Sequence, residues 1–414
     1  MRPPHALLST AARLGALALS TLALSALALG ACGGTTTEVV VVPGQGTAVK
    51  SRTPNAPAKL GFPALATKNT TRVAGSDPIA DAAGVALAVF PSQATGTHPS
   101  VVTLAPTDDW QAAIAASVLM APPIKAPILL SGSSALPKAT SDALTQLAPT
   151  GSGVVAGAQV IRIGDVPNVG GARTQAISGG DPYTLAAAID RFASAAHGTA
   201  SSDVVIASGD NPAYAMPAAG WAAESGDSVL FVKSSSVPSA TAQALLAHQH
   251  PHIYVLGPAS VISNSVVAQL RKYGTVKRVG GPDPAANSVA FAVYRDPPCP
   301  YGQPCAHVPG SFGWAMRSPG HGYVLLNAAQ TLDAAAAAPL SGSGDYGPQL
   351  LIQNPAMLPS PVLNYFLNYA TPGYTQEGPT AAVYNHAWVI GDTSAITVSV
   401  QAELDNLLEV VPQK

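Results

Sequence analysis

The sequence predicts an α/β protein of three tandem Rossmann-like repeats with parallel sheets, and three observations carry that expectation. A signature of glycine, any residue, aspartate and proline occurs as Gly75-Ser76-Asp77-Pro78, Gly179-Gly180-Asp181-Pro182 and Gly281-Pro282-Asp283-Pro284, at intervals of about 100 residues. Between signatures lie short apolar runs without polar alternation, separated by helical patterns, as in a parallel sheet covered on both faces. The last run of each copy ends in a glycine: Gly164, Gly257 and Gly391.

The elements follow in order along the chain. Arg2 and Arg13 precede an uncharged segment, Leu14 to Gly30, that is too short to span a bilayer comfortably. It closes on Leu29-Gly30-Ala31-Cys32, which resembles the lipobox of a bacterial lipoprotein signal. That resemblance implies removal of residues 1–31 and lipidation of Cys32, so that acyl chains hold the body at a membrane face. Residues 32–70 hold Pro43, Pro54, Pro57 and Pro63 without periodicity and read as a tether, in which Val39 to Val42 could add an edge strand. The repeats are expected over 71–171, 172–275 and 276–414.

Each repeat opens on its signature, where aspartate suits the N-cap and proline the first helical turn. Apolar positions such as Leu185, Ile189 and Phe192 then fall on one helical face. A buried strand follows at Val101 to Ala105, Val204 to Ser208 and Tyr323 to Asn327, and after it an alanine-rich helix around Ala112 to Ala116, Pro217 to Ala223 and Ala334 to Ala338. A second buried strand comes at Pro127 to Ser131, Val229 to Lys233 and Gln349 to Gln353, before helices led by Pro137, Pro238 and Pro359. The closing strands are Val160 to Gly164, Ile253 to Gly257 and Ala387 to Gly391. The third copy is longer, with insertions at Asp296 to Gly320 and Thr371 to Thr380 that are expected on the surface.

Composition narrows the function. A formal net charge of −2 with 10% charged residues excludes a strongly basic nucleic-acid footprint, so no nucleic-acid partner is expected. Of the three cysteines, Cys299 and Cys305 remain once Cys32 is lipidated, and outside the cytoplasm they are expected to close a small disulfide loop. The sequence holds no nucleophile elbow, zinc-protease helix or phosphate-cradling loop, so neither catalysis nor a cofactor is expected. The run His248-Gln249-His250-Pro251-His252 reads as a solvated turn from helix to strand rather than a metal site. Trp110 and Trp221 fall at corresponding helix positions and read as packing residues.

Several segments carry a family likeness. Val204-Val205-Ile206-Ala207-Ser208-Gly209-Asp210-Asn211 resembles an apolar strand followed by serine, glycine, aspartate and asparagine in the cell wall-binding repeat 2 family, whose continuation is degraded here to Ala213-Tyr214-Ala215-Met216. Pro127-Ile128-Leu129-Leu130 resembles that family's proline, isoleucine, leucine, leucine motif, which drifts to Ser228-Val229-Leu230-Phe231 and Pro348-Gln349-Leu350-Leu351 in the later copies. Ile253 to Ile262 resembles its closing strand and turn. The resemblance implies three modules in a pseudo-threefold arrangement, docking on an anionic cell-wall polysaccharide. Polymer-binding residues implied by it are Ile128, Leu129 and Leu130 with the basic neighbours Lys125, Lys138 and Lys233; the third copy offers no basic residue nearby. The expected function is that of a non-catalytic envelope lipoprotein, extracytoplasmic and facing the wall. The alternative is a small-ligand-binding lipoprotein of an uptake or sensing system, which would need two hinged lobes around a cleft.

Overall fold

The computed structural model describes residues 64–298, 310–343, 346–374, 378 and 382–412. Cys32, Cys299 and Cys305 lie outside the described residues, as do the signal segment and most of the expected tether. The chain enters on β1 (Ala64–Ala66) and β2 (Thr70–Val73), an antiparallel hairpin. The first signature starts α1 (Pro78–Val89), followed by β3 (Val102–Pro106), α2 (Trp110–Ala115) with a 3₁₀ turn over Ala116–Met120, β4 (Ile128–Ser131), α3 (Lys138–Leu147), β5 (Val160–Ile163) and β6 (Thr174–Ile177). After the second come α4 (Pro182–His197), β7 (Asp203–Ser208), α5 (Pro212–Ala215), α6 (Pro217–Ser225), β8 (Ser228–Val232), α7 (Ser239–Ala247), β9 (His252–Leu256), α8 (Asn264–Leu270) and β10 (Thr275–Val279). The third opens α9 (Pro284–Ala292), then β11 (Gly322–Asn327), α10 (Asp333–Ser341), β12 (Tyr346–Ile352), α11 (Ser360–Tyr365), β13 (Gly373–Tyr374), β14 (His386–Ile390), α12 (Val398–Leu407) and β15 (Val411–Pro412).

The strands make parallel sheets that share one order. The first runs β4-β3-β5-β6, the second β8-β7-β9-β10 and the third β12-β11-β14-β2, with β1 added antiparallel outside β2. Each sheet ends on the strand that leads into the next signature, and the third takes that strand from the beginning of the chain. Thr70–Val73 pair with Ala387–Ile390, so residues 64–70 of the expected tether belong to a sheet hairpin.

The signatures fold as their residue types require. The carboxylate of Asp77 accepts from Ala80 N (2.9 Å), that of Asp283 from Ala286 N (2.9 Å), and that of Asp181 from Tyr183 N and Thr184 N, completing a capping box with Thr184. The glycine has a separate cause. A β-carbon on Gly75 would lie 2.5 Å from Asp81 N, one on Gly179 2.4 Å from Leu185 N and one on Gly281 2.4 Å from the carbonyl carbon of Ala286. All three are far inside van der Waals contact with backbone, which can shift only at a cost to the helix start.

Inside the sheets the alanine-rich helices α2, α6 and α10, with the 3₁₀ turn, pack on one another. Small residues permit the approach: a β-carbon on Gly220 would meet Ser341 Oγ at 2.7 Å, and one on Gly342 the Ala223 carbonyl oxygen at 2.6 Å. Part of the first insertion joins this interior instead of the surface. Phe312 and Trp314 are buried against Trp221, and Phe312 stacks on Tyr254 at 3.4 Å, because the rings bury more apolar area inward than a surface loop could. Among the described residues no helix is long and apolar enough to cross a membrane.

The two roles in the signature are separable by mutation. Asp181→Ala removes a cap and is expected to cost about 1 kcal/mol in urea unfolding. Gly179→Ala should cost more, because Leu185 backbone must be displaced; an equal or smaller loss would contradict the close-approach account.

Candidate functional site

Parallel sheets present ligand crevices at the carboxyl ends of their strands. At that end of the second sheet, Ser208 Oγ accepts from the amides of Asp210 and Asn211 (both 3.1 Å), fixing the turn after β7. Asp210 Oδ2 accepts from Ser234 N at 2.7 Å and ties this turn to the one after β8. Tyr183, in the first turn of α4, lies over Gly209, where a β-carbon would stand 2.7 Å from its hydroxyl oxygen. Lys233 Nζ is 5.8 Å from the Tyr183 ring centroid, within reach of a cation–π contact. Burial, then the charges of Asp210 and Asp181, raises the Tyr183 pKa, so the phenol stays a neutral donor. Gln111 reaches across from α2 and donates to the Gly209 carbonyl oxygen at 3.1 Å. The rim therefore offers the ring and phenol of Tyr183, the exposed ammonium of Lys233 and the carboxylates of Asp181 and Asp210, groups suited to a hydroxyl-rich ligand.

The structure separates the other residues expected to bind polymer. Ile128, Leu129 and Leu130 form β4 and are fully buried, so their side chains support the sheet and cannot touch a ligand in this conformation. Thr140 Oγ1 donates to the Leu130 carbonyl oxygen at 2.5 Å, as Thr241 does to that of Phe231 at 2.6 Å, binding helix to strand. Lys125 precedes β4 with φ of 53° and Lys138 follows it, so the two exposed ammonium groups lie at opposite ends of that strand. Lys138 is already paired with Asp142 at 2.6 Å. Lys233 is exposed and alone of the three stands in the rim of the second sheet.

The tryptophans and histidines resolve differently. Trp221 is buried with Nε1 on Asp227 Oδ2 (2.8 Å), and Trp110, half-buried, packs edge-on against Phe231, so both are packing residues as expected. The histidine run is only partly solvated. His248 is buried, its Nδ1 donating to the Ser201 carbonyl oxygen (2.7 Å) and its Nε2 lying 2.9 Å from Asp190 Oδ1, whereas His252 is exposed beside Asp203. The sequence signal was available, since Asp190 is an acid on the apolar face of α4. Among the described residues no group of three or more histidine, cysteine, aspartate or glutamate side chains is placed to hold a metal.

Comparison with known proteins agrees with this architecture. Residues 176–267, from the last strand of the first sheet into α8, match the family Cell wall binding domain 2 (CWB2). Among solved structures, Cwp6 from Clostridium difficile is similar at 17% identity and a TM-score of 0.62, over 88% of this chain and 51% of that one. Cwp8 from Clostridium difficile is similar at 15% identity and a TM-score of 0.61, over 82% of this chain and 52% of that one. The chain thus spans about half the length of each of these proteins. No curated protein sequence matches it.

The buried His248 gives the second sheet a pH dependence. Burial lowers its pKa, but the hydrogen bond and charge of Asp190 outweigh this and raise it above the ordinary histidine value. A histidine raised by folding stabilises fully below the unfolded pKa and loses that contribution as pH rises through the folded one. Replacing it by His248→Ala is therefore expected to cost more at pH 5.5 than at pH 9, measured as urea midpoints. Equal losses at the two pH values would show that the imidazolium contributes nothing.

Proposed function

We propose that this chain is a non-catalytic cell-envelope lipoprotein that binds an anionic cell-wall polymer through three repeats in a pseudo-threefold body. The observation that carries the reading is the CWB2 match over the second unit, whose strand ends hold Tyr183 and Lys233 side by side on an exposed rim. The fold shared with two cell wall proteins supports a cell-surface location. In this reading Cys32 carries lipid at the membrane, residues 32 to 63 lead to the body, and Cys299 and Cys305 are joined. The units would span 71–171, 172–275 and 276–414, with β1 and β2 completing the third. The small-ligand alternative gains less: a groove of about 420 Å³ lies between α4 and α7, but it belongs to one unit, where two hinged lobes are not present to close on a ligand.

Polymer attraction rests on few charges. Exposed ammonium groups attract an anionic chain through solvent that screens within about 8 Å at physiological ionic strength, so retention should fall as salt rises. A Lys125→Gln, Lys138→Gln, Lys233→Gln triple variant is expected to fold normally and lose retention on protein-stripped cell walls, with Lys233→Gln alone carrying most of the loss. Unchanged retention of the folded triple variant would overturn this placement, and failure of the unaltered chain to bind walls would overturn the function.

The covalent features have their own check. Mass spectrometry of membrane-extracted protein should find Cys32 at the mature N-terminus with acyl chains, and a non-reducing peptide map should find Cys299 linked to Cys305. An intact bond between residues 31 and 32, or free thiols, would reject the respective assignment.

A further inference from the structure

Two acids are buried where the chain passes from the third sheet to the first unit. Asp81, in the first turn of α1, and Asp333, the first residue of α10, are each 1% exposed, and their helices pack together. Gly75 N donates to Asp81 Oδ1 at 2.8 Å, whereas Asp333 Oδ1 is buried without a hydrogen-bond partner. The other oxygens converge on one backbone position: a β-carbon on Gly391, just past β14, would stand 3.9 Å from Oδ2 of both residues.

The surroundings disfavour two negative charges. Desolvation opposes ionisation, and a first charge opposes a second at close range. Burial pushes Asp81 up to about 7, against the amides of Gly75 and Gly391 and with the charges of Asp77 and Asp392. Burial and then the charges of Asp81 and Asp77 raise Asp333 well above the carboxylate range. The nearby cation, Arg72, attracts Asp81 at a distance but spends its hydrogen bonds elsewhere. Buried Arg72 donates to the carbonyl oxygens of Gly391 (2.8 Å) and Asp392 (2.9 Å) and to Gln401 Oε1. Other charged residues on elements packed against these helices, Lys138 and Asp142 of α3 and Glu224 of α6, are exposed.

The fold does not need an acid at this place. Four residues after the signature aspartate stand Asp81, Leu185 and Asn287, each buried in its own unit. An ionisable group there is thus particular to the first unit. We propose that the fold holds both Asp81 and Asp333 protonated and that the pair acts as a protonation-dependent clasp, which closes β2 and α1 on the third unit and loosens as the carboxyl groups ionise.

The sign follows from linkage. Folding raises the proton affinity of both carboxyl groups, so the clasp is fully stabilising below the ordinary carboxylate range, and its contribution falls as pH rises towards about 7 for Asp81 and beyond for Asp333. The test compares the full chain with Asp333→Asn and Asp81→Asn by urea unfolding at pH 4.5 and pH 9. At pH 9 Asp333→Asn is expected to raise the folded-to-unfolded ratio by roughly tenfold or more over the unaltered chain, one pKa unit of removed penalty, and to give no gain at pH 4.5. Carbon-13 spectra of the unaltered chain should show the two carboxyl groups titrating in coupled steps, one far above the usual range. A variant profile parallel to that of the unaltered chain, or both carboxyl groups titrating near pH 4, would overturn the clasp. If Asp333→Asn does not fold, Asp81→Asn and the carboxyl titration give the same decision.

Discussion

The contact on which the rest depends is the seating of a glycine against the first turn of the helix that follows it. At Gly75, Gly179 and Gly281 the chain leaves a sheet, turns and starts a helix in so little space that a single methyl group would strike backbone atoms. This closeness sets where the helix lies relative to the strand before it, and through that helix the next sheet. Arginine reinforces the adjacent turn, the one that follows the closing strand of each sheet. Arg278 in β10 donates to the carbonyl oxygens of Gly257 and Ile262, as Arg72 in β2 donates to those of Gly391 and Asp392. In the first sheet Arg162, on the neighbouring strand β5, does the corresponding work by donating to the Val166 carbonyl oxygen. Charge-assisted bonds to carbonyls at strand ends satisfy acceptors that the sheet leaves open.

Much of this organisation was legible because buried strands and capped helices have strong local signals. Val204 to Ser208 and Ile128 to Leu130 are apolar without interruption, and Asp181 before Pro182 marks a helix start. The last strand of each sheet escaped because its signal is different. Thr174–Ile177 and Thr275–Val279 are sheet edges with partly exposed, polar side chains. β2 escaped for a further reason, since its partner β14 lies more than 300 residues away and no local pattern encodes that pairing. Likewise Phe312 and Trp314 sit in a segment rich in glycine and proline, and only tertiary packing shows that they enter the interior.

The candidate site was legible in part. Lys233 could be placed beside a strand end from sequence, but Tyr183 comes from the helix after a different sheet and meets it only in three dimensions. The regularity of Ile128, Leu129 and Leu130 reflects the full burial of β4, the outermost strand of the first sheet. A low charge density makes such distinctions matter. With Lys138 paired to Asp142 and Arg72 engaged with carbonyls, formal charge overstates what the surface can offer an anion.

The insertion of β2 beside β14 also has a mechanical meaning. Ala64 pairs with Val73, so the chain enters the body at the carboxyl end of the third sheet, as the outer strand of a hairpin. Tension applied through the preceding residues would reach that hairpin before any other element among the described residues, drawing β1 from β2 one pair at a time, and only then load the parallel strands in shear. The sheet assembled from the two most distant parts of the chain would thus be the first to register a pull and the last to form after synthesis.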